Sequence, residues 1–364
     1  MEDGEIEYVE GVRLTRTEEN LAEIDALAAL LGGRVGVEPV LADLNRQARP
    51  AMRWGRAVEQ AFTWDREDRT TRRWYPQGIS TSADADPSGQ VAGRHLLVVA
   101  WYFQDSHGNN QGSRLTFVDL STLRYRHVLL VSPQLKKGKV TLAPLKVHAG
   151  GIVWCGPYLH VAATTRGFMT CRIDDLLRIP DERGGRDLRR LGIDGDEVAS
   201  YGYRYVLPAR LTYQAYTDEG HERMKYSFLS LDRASDPPAI VAGEYTRGTG
   251  ANRLARYPVD PGTSLLRSGQ DGISRPVQLA TGGVSSMQGA SVARGRYHVT
   301  VSHGPWLPGS MYVGDPGRLR PHRLAMPMGP EDIAYWPSTD LLWSVSEHPW
   351  RRWVFAMRRS SFDD

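Results

Sequence analysis

Two histidines and two glutamates near the C-terminus are suited to acid/base chemistry. His303 lies in the segment MQGASVARGRYHVTVSHGPW and His348 in the segment PEDIAYWPSTDLLWSVSEHPW, and both segments end on Ser-x-x-Pro-Trp. The second segment also contains Glu331 and Glu347. A histidine with a near-neutral pKa and a carboxylate beside it are the usual equipment for proton transfer. We therefore expect His303 or His348 to act as base or acid, with Glu331 or Glu347 as its partner.

The same two segments belong to a longer repeat that predicts the fold. An apolar run, a turn and an alternating β-type run recur along the chain at a spacing of roughly 40–50 residues, which is typical of propeller blades. Hairpin openings occur at Gln77, His148, Tyr201, Gln288 and Glu331. The sequence thus predicts an all-β protein, a β-propeller with five blades. Six blades are the alternative, because residues 236–285 could complete one blade or form another.

An N-terminal helix precedes the repeats. Residues 17–32, TEENLAEIDALAALLG, place apolar residues on one helical face, with Thr17 as the expected N-cap and two glycines at the end. We expect this helix to pack outside the propeller. The predicted domains are an N-terminal helical extension over residues 1–60 and a propeller over 61–364, closed by pairing of its N- and C-terminal strands.

Composition excludes several classes of protein. The formal charge is +3, from 45 Lys and Arg against 42 Asp and Glu, and no basic stripe is interleaved with aromatic residues. We therefore do not expect nucleic-acid binding. We do not expect a membrane protein either, because no apolar run approaches the ~20 residues that a membrane span needs. The N-terminus lacks the pattern of a signal peptide. The expected location is the cytoplasm, or the exterior if a leader has been removed.

A propeller brings its strand openings and certain loops to one mouth of its channel. These positions supply titratable, amide and aromatic side chains, which together could form a pocket for a small-molecule ligand. His148 is a further catalytic candidate, Arg166 would anchor an anion, and the tryptophans would form the walls. The openings contribute Gln77, His148, Gln288, Glu331 and Asp332, and the loops contribute Trp101, Tyr102, Arg166, His303, Trp306, Glu347, His348 and Trp350.

Several of these residues also have a structural interpretation. Gln77 and Gln288 could link neighbouring blades through hydrogen bonds to the backbone. Trp306 and Trp350 could pack within the blades instead of contacting a ligand. Glu331 and Asp332 are adjacent carboxylates near a narrow axis, which is costly unless they are paired, protonated or holding a cation such as calcium. No phosphate-binding glycine loop, nucleophile elbow or zinc motif is present, so no organic cofactor is expected.

Two further groups of residues are interpreted as structural. Asp65 and Asp68 lie among arginines and are predicted to form a solvated, salt-bridged turn rather than a cation site. Cys155 and Cys171 would be separated by one intervening strand, nearly 10 Å apart, which is too far for a disulfide. We expect two buried free thiols.

The segments HAGGIVW, YLHVAATTRGFMTCRIDDL and GPEDIAYWPSTDLLWSVSEHPWRRWVFAM resemble blades of bacterial propellers of the YVTN and SMP-30-like kind. Residues 76–357 as a whole are similar to a group of uncharacterised actinobacterial propeller proteins. The resemblance implies the architecture. SMP-30-like enzymes hold a catalytic cation with Glu, Asp and Asn at the channel, and Asn is absent from the strand openings of this chain.

These observations favour an enzyme without an organic cofactor that acts on a small molecule at the propeller mouth. Hydrolysis, elimination, isomerisation and cyclisation all fit acid/base chemistry of this kind. The alternative is a non-catalytic propeller that binds a protein partner or a glycan through the same aromatic mouth. The sequence does not specify the substrate or the oligomeric state.

Overall fold

The strands form antiparallel meanders arranged around a central channel, which confirms the all-β propeller predicted from the sequence. A computed structural model describes residues 6–185, 187–248 and 252–363. Five meanders of four strands are present in the described chain, numbered here in chain order. Meander 1 consists of Trp74–Thr81, Leu96–Phe103, Ser113–Asp119 and Arg124–Lys136. Meander 2 consists of Ile152–Cys155, Tyr158–Ala162, Gly167–Arg172 and Tyr205–Thr217.

The remaining meanders follow the same order from the channel outward. Meander 3 consists of Phe228–Asp232, Ala239–Gly243, Leu254–Pro258 and Gln278–Ala280. Meander 4 consists of Met287–Ala293, Arg296–Val301, Pro308–Gly314 and Arg320–Met328. Meander 5 consists of Pro330–Trp336, Leu341–Ser346, Trp353–Arg358 and Val58–Thr63, and the last of these strands comes from the N-terminal part of the chain. Residues 236–285 therefore supply the outer strands of meander 3.

The prediction of a strand opening at Tyr201 was wrong. The segment from Tyr205 to Thr217 is one long outer strand of meander 2, and it also pairs in parallel with the outer strand of meander 1 over Val206–Pro208. Meander 3 begins instead at Phe228. An outer strand with one face on the core and one on its neighbour shows the same alternation as an inner strand, so the pattern alone does not distinguish them.

The hydrophobic core lies between the meanders. Each adjacent pair shares one cluster of buried side chains, including the pair formed by meanders 5 and 1. The first strands contact one another in a closed cycle around the channel. Glycines at the strand openings permit this approach: a Cβ on Gly151 would lie 2.0 Å from the backbone nitrogen of Leu229, and one on Gly78 would lie 2.9 Å from the carbonyl carbon of Gly151.

The N-terminal helix packs on the outside of the propeller, as predicted. It spans Leu21–Leu31 and ends at Gly32, which adopts a positive φ of 87°. Its buried face meets the outer strands of meanders 1 and 2. Thr17 does not cap the helix; its hydroxyl accepts a hydrogen bond from the backbone nitrogen of Thr212. Asn20 occupies the N-cap without a side-chain hydrogen bond to the helix, and its amide donates instead to the carbonyl of Ala209.

Short elements complete the described chain. Val12–Arg16, the first strand in the described ranges, pairs with the outer strand of meander 2, so the N-terminal segment adds strands as well as helices. None of the helices in the described ranges is long and apolar enough to cross a membrane. Cys155 and Cys171 are free and buried, as predicted. The other short strands are Arg46–Gln47, Arg49–Pro50, Lys139–Pro144, Leu177–Arg178, Leu191–Asp194, Glu197–Ser200 and Ile273–Ser274; the short helices are Glu38–Ala42, Arg66–Thr70 and Ser82–Ala85, and the 3₁₀ turns are Ile173–Asp175, Pro337–Thr339 and Arg359–Phe362.

Candidate functional site

A cavity of about 1150 Å³, called here the central cavity, opens at the channel mouth. It lies where the first strands of the five meanders begin, and eight of the residues singled out from the sequence line it. Most of the residues that line it are polar in type, and they bring hydroxyl, amide and ionisable groups to the space. The eight residues are Gln77, Tyr102, His148, Gln288, His303, Glu331, Glu347 and His348.

β-Bulges at the strand openings are the local feature that positions several of these side chains. The register of the first hairpin shifts between Pro76 and Ile79, that of meander 4 between Met287 and Gly289, and that of meander 5 between Pro330 and Ile333. A bulge leaves a residue out of the pairing ladder and redirects its side chain. The irregular positions are the ones that carry Gln77, Gln288 and Glu331.

Two carboxyl groups face the central cavity in different environments. Glu331 is only 3% exposed, and burial raises its pKa well above the usual value, with the nearby charges of Glu347 and Asp332 acting in the same direction. Burial also raises the pKa of Glu347, but a hydrogen bond of 3.0 Å from Nε2 of Gln77 and the positive charge of Arg352 oppose that shift. Glu331 is therefore the group that holds a proton more strongly.

Asp332 is a structural link rather than a pocket residue. It is fully buried and does not line the central cavity. Its Oδ2 accepts hydrogen bonds of 3.2 Å from the backbone nitrogens of Ile79 and Ile152, so it joins the first strands of meanders 5, 1 and 2. In the residues that the structure describes, no group of three or more His, Cys, Asp or Glu side chains is arranged to hold a metal ion.

Three histidines line the central cavity, and each contacts a different kind of side chain. His348 places Nδ1 3.7 Å from Oε1 of Glu347, and burial, together with Arg352 and Arg351, lowers its pKa. His148 packs against Tyr102 with ring centroids 4.4 Å apart, and burial lowers its pKa as well. His303 shares a hydrogen bond of 2.8 Å with the hydroxyl of Ser310. His148 and His348 are thus neutral near pH 7.

Trp101 and Tyr102 show why neighbouring residues of one strand have different roles. Successive side chains of a strand point to opposite faces. Tyr102 lines the central cavity and stacks on Tyr75 with centroids 5.4 Å apart. Trp101 is fully buried in the core between meanders 5 and 1, against Trp64, so its prediction as a pocket wall was wrong.

Arg166 and the two loop tryptophans also lie outside the central cavity. Arg166 donates a hydrogen bond to the carbonyl of Lys146 on the exposed turn after its strand, so the predicted anion anchor is not at this site. Trp306 and Trp350 are 74% and 59% exposed. They border an adjoining space of about 400 Å³, called here the tryptophan cleft, which shares His348 with the central cavity.

Arg352 was not found from the sequence, and it supports the wall of the site. Its fully buried guanidinium donates to the carbonyl of Glu347 at 2.7 Å through Nε and to the carbonyl of Asp68 at 2.6 Å through Nη1. Within the described part of the chain, Nη2 has no hydrogen-bond partner. Burial lowers the pKa of Arg352 to about 10. The only sequence signal was its position two residues after the second Pro-Trp, which is not a recognised motif.

A buried ionic cluster lies behind this wall. The carboxylate of Asp68 accepts from Arg114 at 2.6 Å and from the hydroxyl of Tyr125 at 2.7 Å, and Nε2 of His127 lies 2.9 Å from it. Asp68 is 2% exposed, so this part of the predicted salt-bridged turn is not solvated, whereas the side chain of Asp65, paired with Arg46, is 26% exposed. The guanidinium of Arg114 is held between Trp74 and Trp101, 4.5 and 4.7 Å from their ring centroids.

Comparisons with known proteins give propellers at low similarity. No family model and no curated protein match the chain. Among solved structures, a GH43_1 enzyme from Xanthomonas citri complexed with xylotriose has a TM-score of 0.34 at 11% identity, over 92% of both chains. A gluconolactonase from Xanthomonas campestris has a TM-score of 0.32 at 12% identity, over 87% of this chain and 85% of its own. The Cps50 (Swd1) β-propeller domain of Myceliophteria thermophila scores 0.33 at 11% identity, over 71% and 93%. At these TM-scores the similarities support no conclusion about this chain.

Proposed function

We propose that this chain is an acid/base enzyme that hydrolyses a hydroxyl-rich small molecule, a saccharide, at the propeller mouth. The observation that carries the proposal is the pair Glu331 and Glu347, two carboxyl groups that face one cavity. The pKa of Glu331 is raised well above its usual value, whereas a hydrogen bond from Gln77 and the charge of Arg352 oppose the rise for Glu347. Titratable groups whose surroundings separate their pKa values are the arrangement that acid/base catalysis uses.

Glu331 is the proton donor in this scheme and Glu347 is the carboxylate. Glycoside hydrolysis uses such a pair. Glu331 would give its proton to the departing oxygen as the bond from the sugar carbon to that oxygen breaks. Glu347 would accept a proton from water as the water oxygen forms its bond to the same carbon. The Gln77 amide, 3.0 Å from the Glu347 carboxylate, supports the charged form of the base.

The polar lining supports a hydroxyl-rich substrate. An apolar ligand would leave the buried amide, hydroxyl and carboxyl groups of the cavity without partners, which costs about 1–3 kcal/mol for each group. The histidines that the sequence suggested as acid or base take a different part here. Because His148 and His348 are neutral near pH 7, they are suited to hydrogen-bonding substrate hydroxyls rather than to carrying charge.

Substitution of the two carboxyl groups tests the proposal. Release of reducing ends would be measured on a panel of aryl glycosides and oligosaccharides, with wild-type protein, Glu331→Gln and Glu347→Gln. Each variant should lower kcat by about 10²–10⁴, the usual contribution of a positioned acid or base. The matched control is Glu182→Gln, on an exposed surface residue, which should leave turnover unchanged. Turnover that survives in both mouth variants would refute the assignment.

The exposed tryptophans favour a second candidate, a non-catalytic propeller that binds a glycan or a protein. Trp306 and Trp350 present large apolar surfaces beside the mouth. This candidate predicts ligand retention without turnover, loss of binding in Trp306→Ala and Trp350→Ala, and unchanged binding in Glu331→Gln. Product formation by the wild-type protein would exclude it.

A further inference from the structure

Three adjoining spaces form one continuous surface at the channel mouth. The central cavity and the tryptophan cleft share His348. The cleft in turn shares Arg72 and Tyr75 with a third space of about 1130 Å³, called here the arginine groove. The two larger spaces are each at or above the upper end of the ~300–1,000 Å³ typical of a small-ligand pocket. The surface is therefore long enough for a chain of several units.

The arginine groove concentrates positive charge. Among the described residues, Arg72, Arg73, Lys146 and Arg189 line it together with one carboxylate, Asp105, which accepts hydrogen bonds from backbone nitrogens of its own loop. Arg72 and Arg73 are both exposed. The groove thus carries four basic residues against one acid, whereas the whole chain is nearly balanced at 45 against 42.

Basic residues also line the other two spaces, together with Glu331 and Glu347 in the central cavity. Lys225 and Arg247 line the central cavity, and Arg351 lines the tryptophan cleft. In the described ranges, none of the seven basic side chains on this surface forms an ion pair with a carboxylate, although many arginines elsewhere do. Unpaired cations gathered along a groove attract an anionic ligand and leave room for its charged groups.

Aromatic side chains occur at intervals along the same surface. The guanidinium of Arg351 lies over one face of the Trp306 indole, 3.9 Å from the ring centroid, and holds the ring in place. Trp306 is nevertheless 74% exposed. Trp350 lies in the same cleft, and Tyr75 is held by its stack on Tyr102. Exposed rings held in place are suited to contacts with the apolar faces of sugar units, and larger exposed apolar patches mark interaction sites.

We propose that the mouth takes an anionic oligosaccharide, with the reacting unit in the central cavity and further units across the tryptophan cleft and the arginine groove. The anionic groups are uronate carboxylates or sulfate esters, which share the chemistry that arginine recognises. This inference rests on the proposed function, because it names the substrate of the same site. An acidic peptide fits the charges but offers the carboxyl pair no glycosidic bond.

Calorimetric titration of the full-length Glu331→Gln variant tests the substrate class apart from turnover, and Glu347→Gln serves as a second inactive background. The ligands are a tetramer of galacturonic acid, a sulfated tetrasaccharide and neutral xylotetraose, at low and high salt. At least one anionic ligand should bind about tenfold or more tightly than the neutral one, and salt should weaken it. The ligand that binds identifies the carboxylate or the sulfate as the source of charge.

The arginine groove is tested by Arg72→Ala/Arg73→Ala in the same background. Affinity for the anionic ligand should fall by about tenfold or more, the loss expected for charge-assisted hydrogen bonds, while the neutral ligand is unaffected. The matched control is Arg320→Ala/Arg323→Ala, two exposed arginines at the outer edge of meander 4. Equal binding of neutral and anionic ligands, or no effect of the double variant, would overturn the inference. Tight anionic binding without hydrolysis by the wild-type protein would instead refute the proposed function alone.

Discussion

The buried cluster around Asp68 should be a main source of stability for the wall behind the site. The change is Asp68→Ala, which removes the acceptor for Arg114 and Tyr125 and the carboxylate beside His127. The side chains of Asp68 and Arg114 are 3% and 5% exposed, so the remaining guanidinium would be buried without a counter-charge. Breaking a buried pair in this way costs about 3–5 kcal/mol. Burial would raise the pKa of Asp68, yet His127 and Arg114 hold it well below its usual value, so the carboxylate is charged at neutral pH.

Urea unfolding followed by tryptophan fluorescence measures this cost. The free energy of unfolding of Asp68→Ala should fall by about 3–5 kcal/mol relative to the wild type. Asp194→Ala is the control, because Asp194 pairs with Arg190 at 3.5 Å while its side chain is 80% exposed, and the change should be within about 0.5 kcal/mol. A loss below about 1 kcal/mol for Asp68→Ala would show that the cluster is not a desolvated ionic network.

Two further predictions concern the site wall and the ring of inner strands. Arg352→Met removes a positive charge that lowers the pKa of Glu347, so that pKa should rise. The rate falls on acidification as the base becomes protonated. In a profile of kcat/KM against pH, this fall should therefore occur at a higher pH in the variant than in the wild type, and an unchanged profile would contradict the role of Arg352. Gly151→Ala places a Cβ 2.0 Å from the backbone nitrogen of Leu229 and should destabilise the protein by about 1–3 kcal/mol or more in thermal unfolding. Gly184→Ala, whose Cβ would meet its nearest neighbour at 3.5 Å, should be close to neutral, and equal effects of the two would refute the steric argument.

The repeat made the propeller predictable from the sequence. Short alternating runs, glycine-containing openings and turns at regular spacing are local properties, and the structure explains the glycines by the close approach of the first strands. The failure at Tyr201 has a topological cause. Nothing in the local pattern shows that Tyr205–Thr217 adds an outer strand to meander 2 and pairs with meander 1.

The site residues were predictable where the position of a residue in the repeat decides which way its side chain points. Gln77, Gln288 and Glu331 occupy equivalent bulged openings, so the repeat itself placed them at the mouth. Trp101 and Asp332 were misplaced because each neighbours a cavity residue, and a shift of one residue along a strand reverses the face. The role of Arg352 and the burial of Asp68 could not be predicted, since they depend on contacts between residues distant in the sequence. Arg352 lies 284 positions from Asp68, and Asp68 lies 46 positions from Arg114.

The protonation states of the two mouth glutamates test the account most directly. Carboxyl carbons of ¹³C-labelled glutamate would be followed by NMR against pH in the wild type, with Glu331→Gln and Glu347→Gln to assign the two signals. The account predicts that the pKa of Glu331 lies well above that of an ordinary glutamate, and that Glu347→Gln lowers it by removing a nearby charge. Independent titration of both groups near the ordinary value would contradict the assignment of a proton donor and a carboxylate to this site.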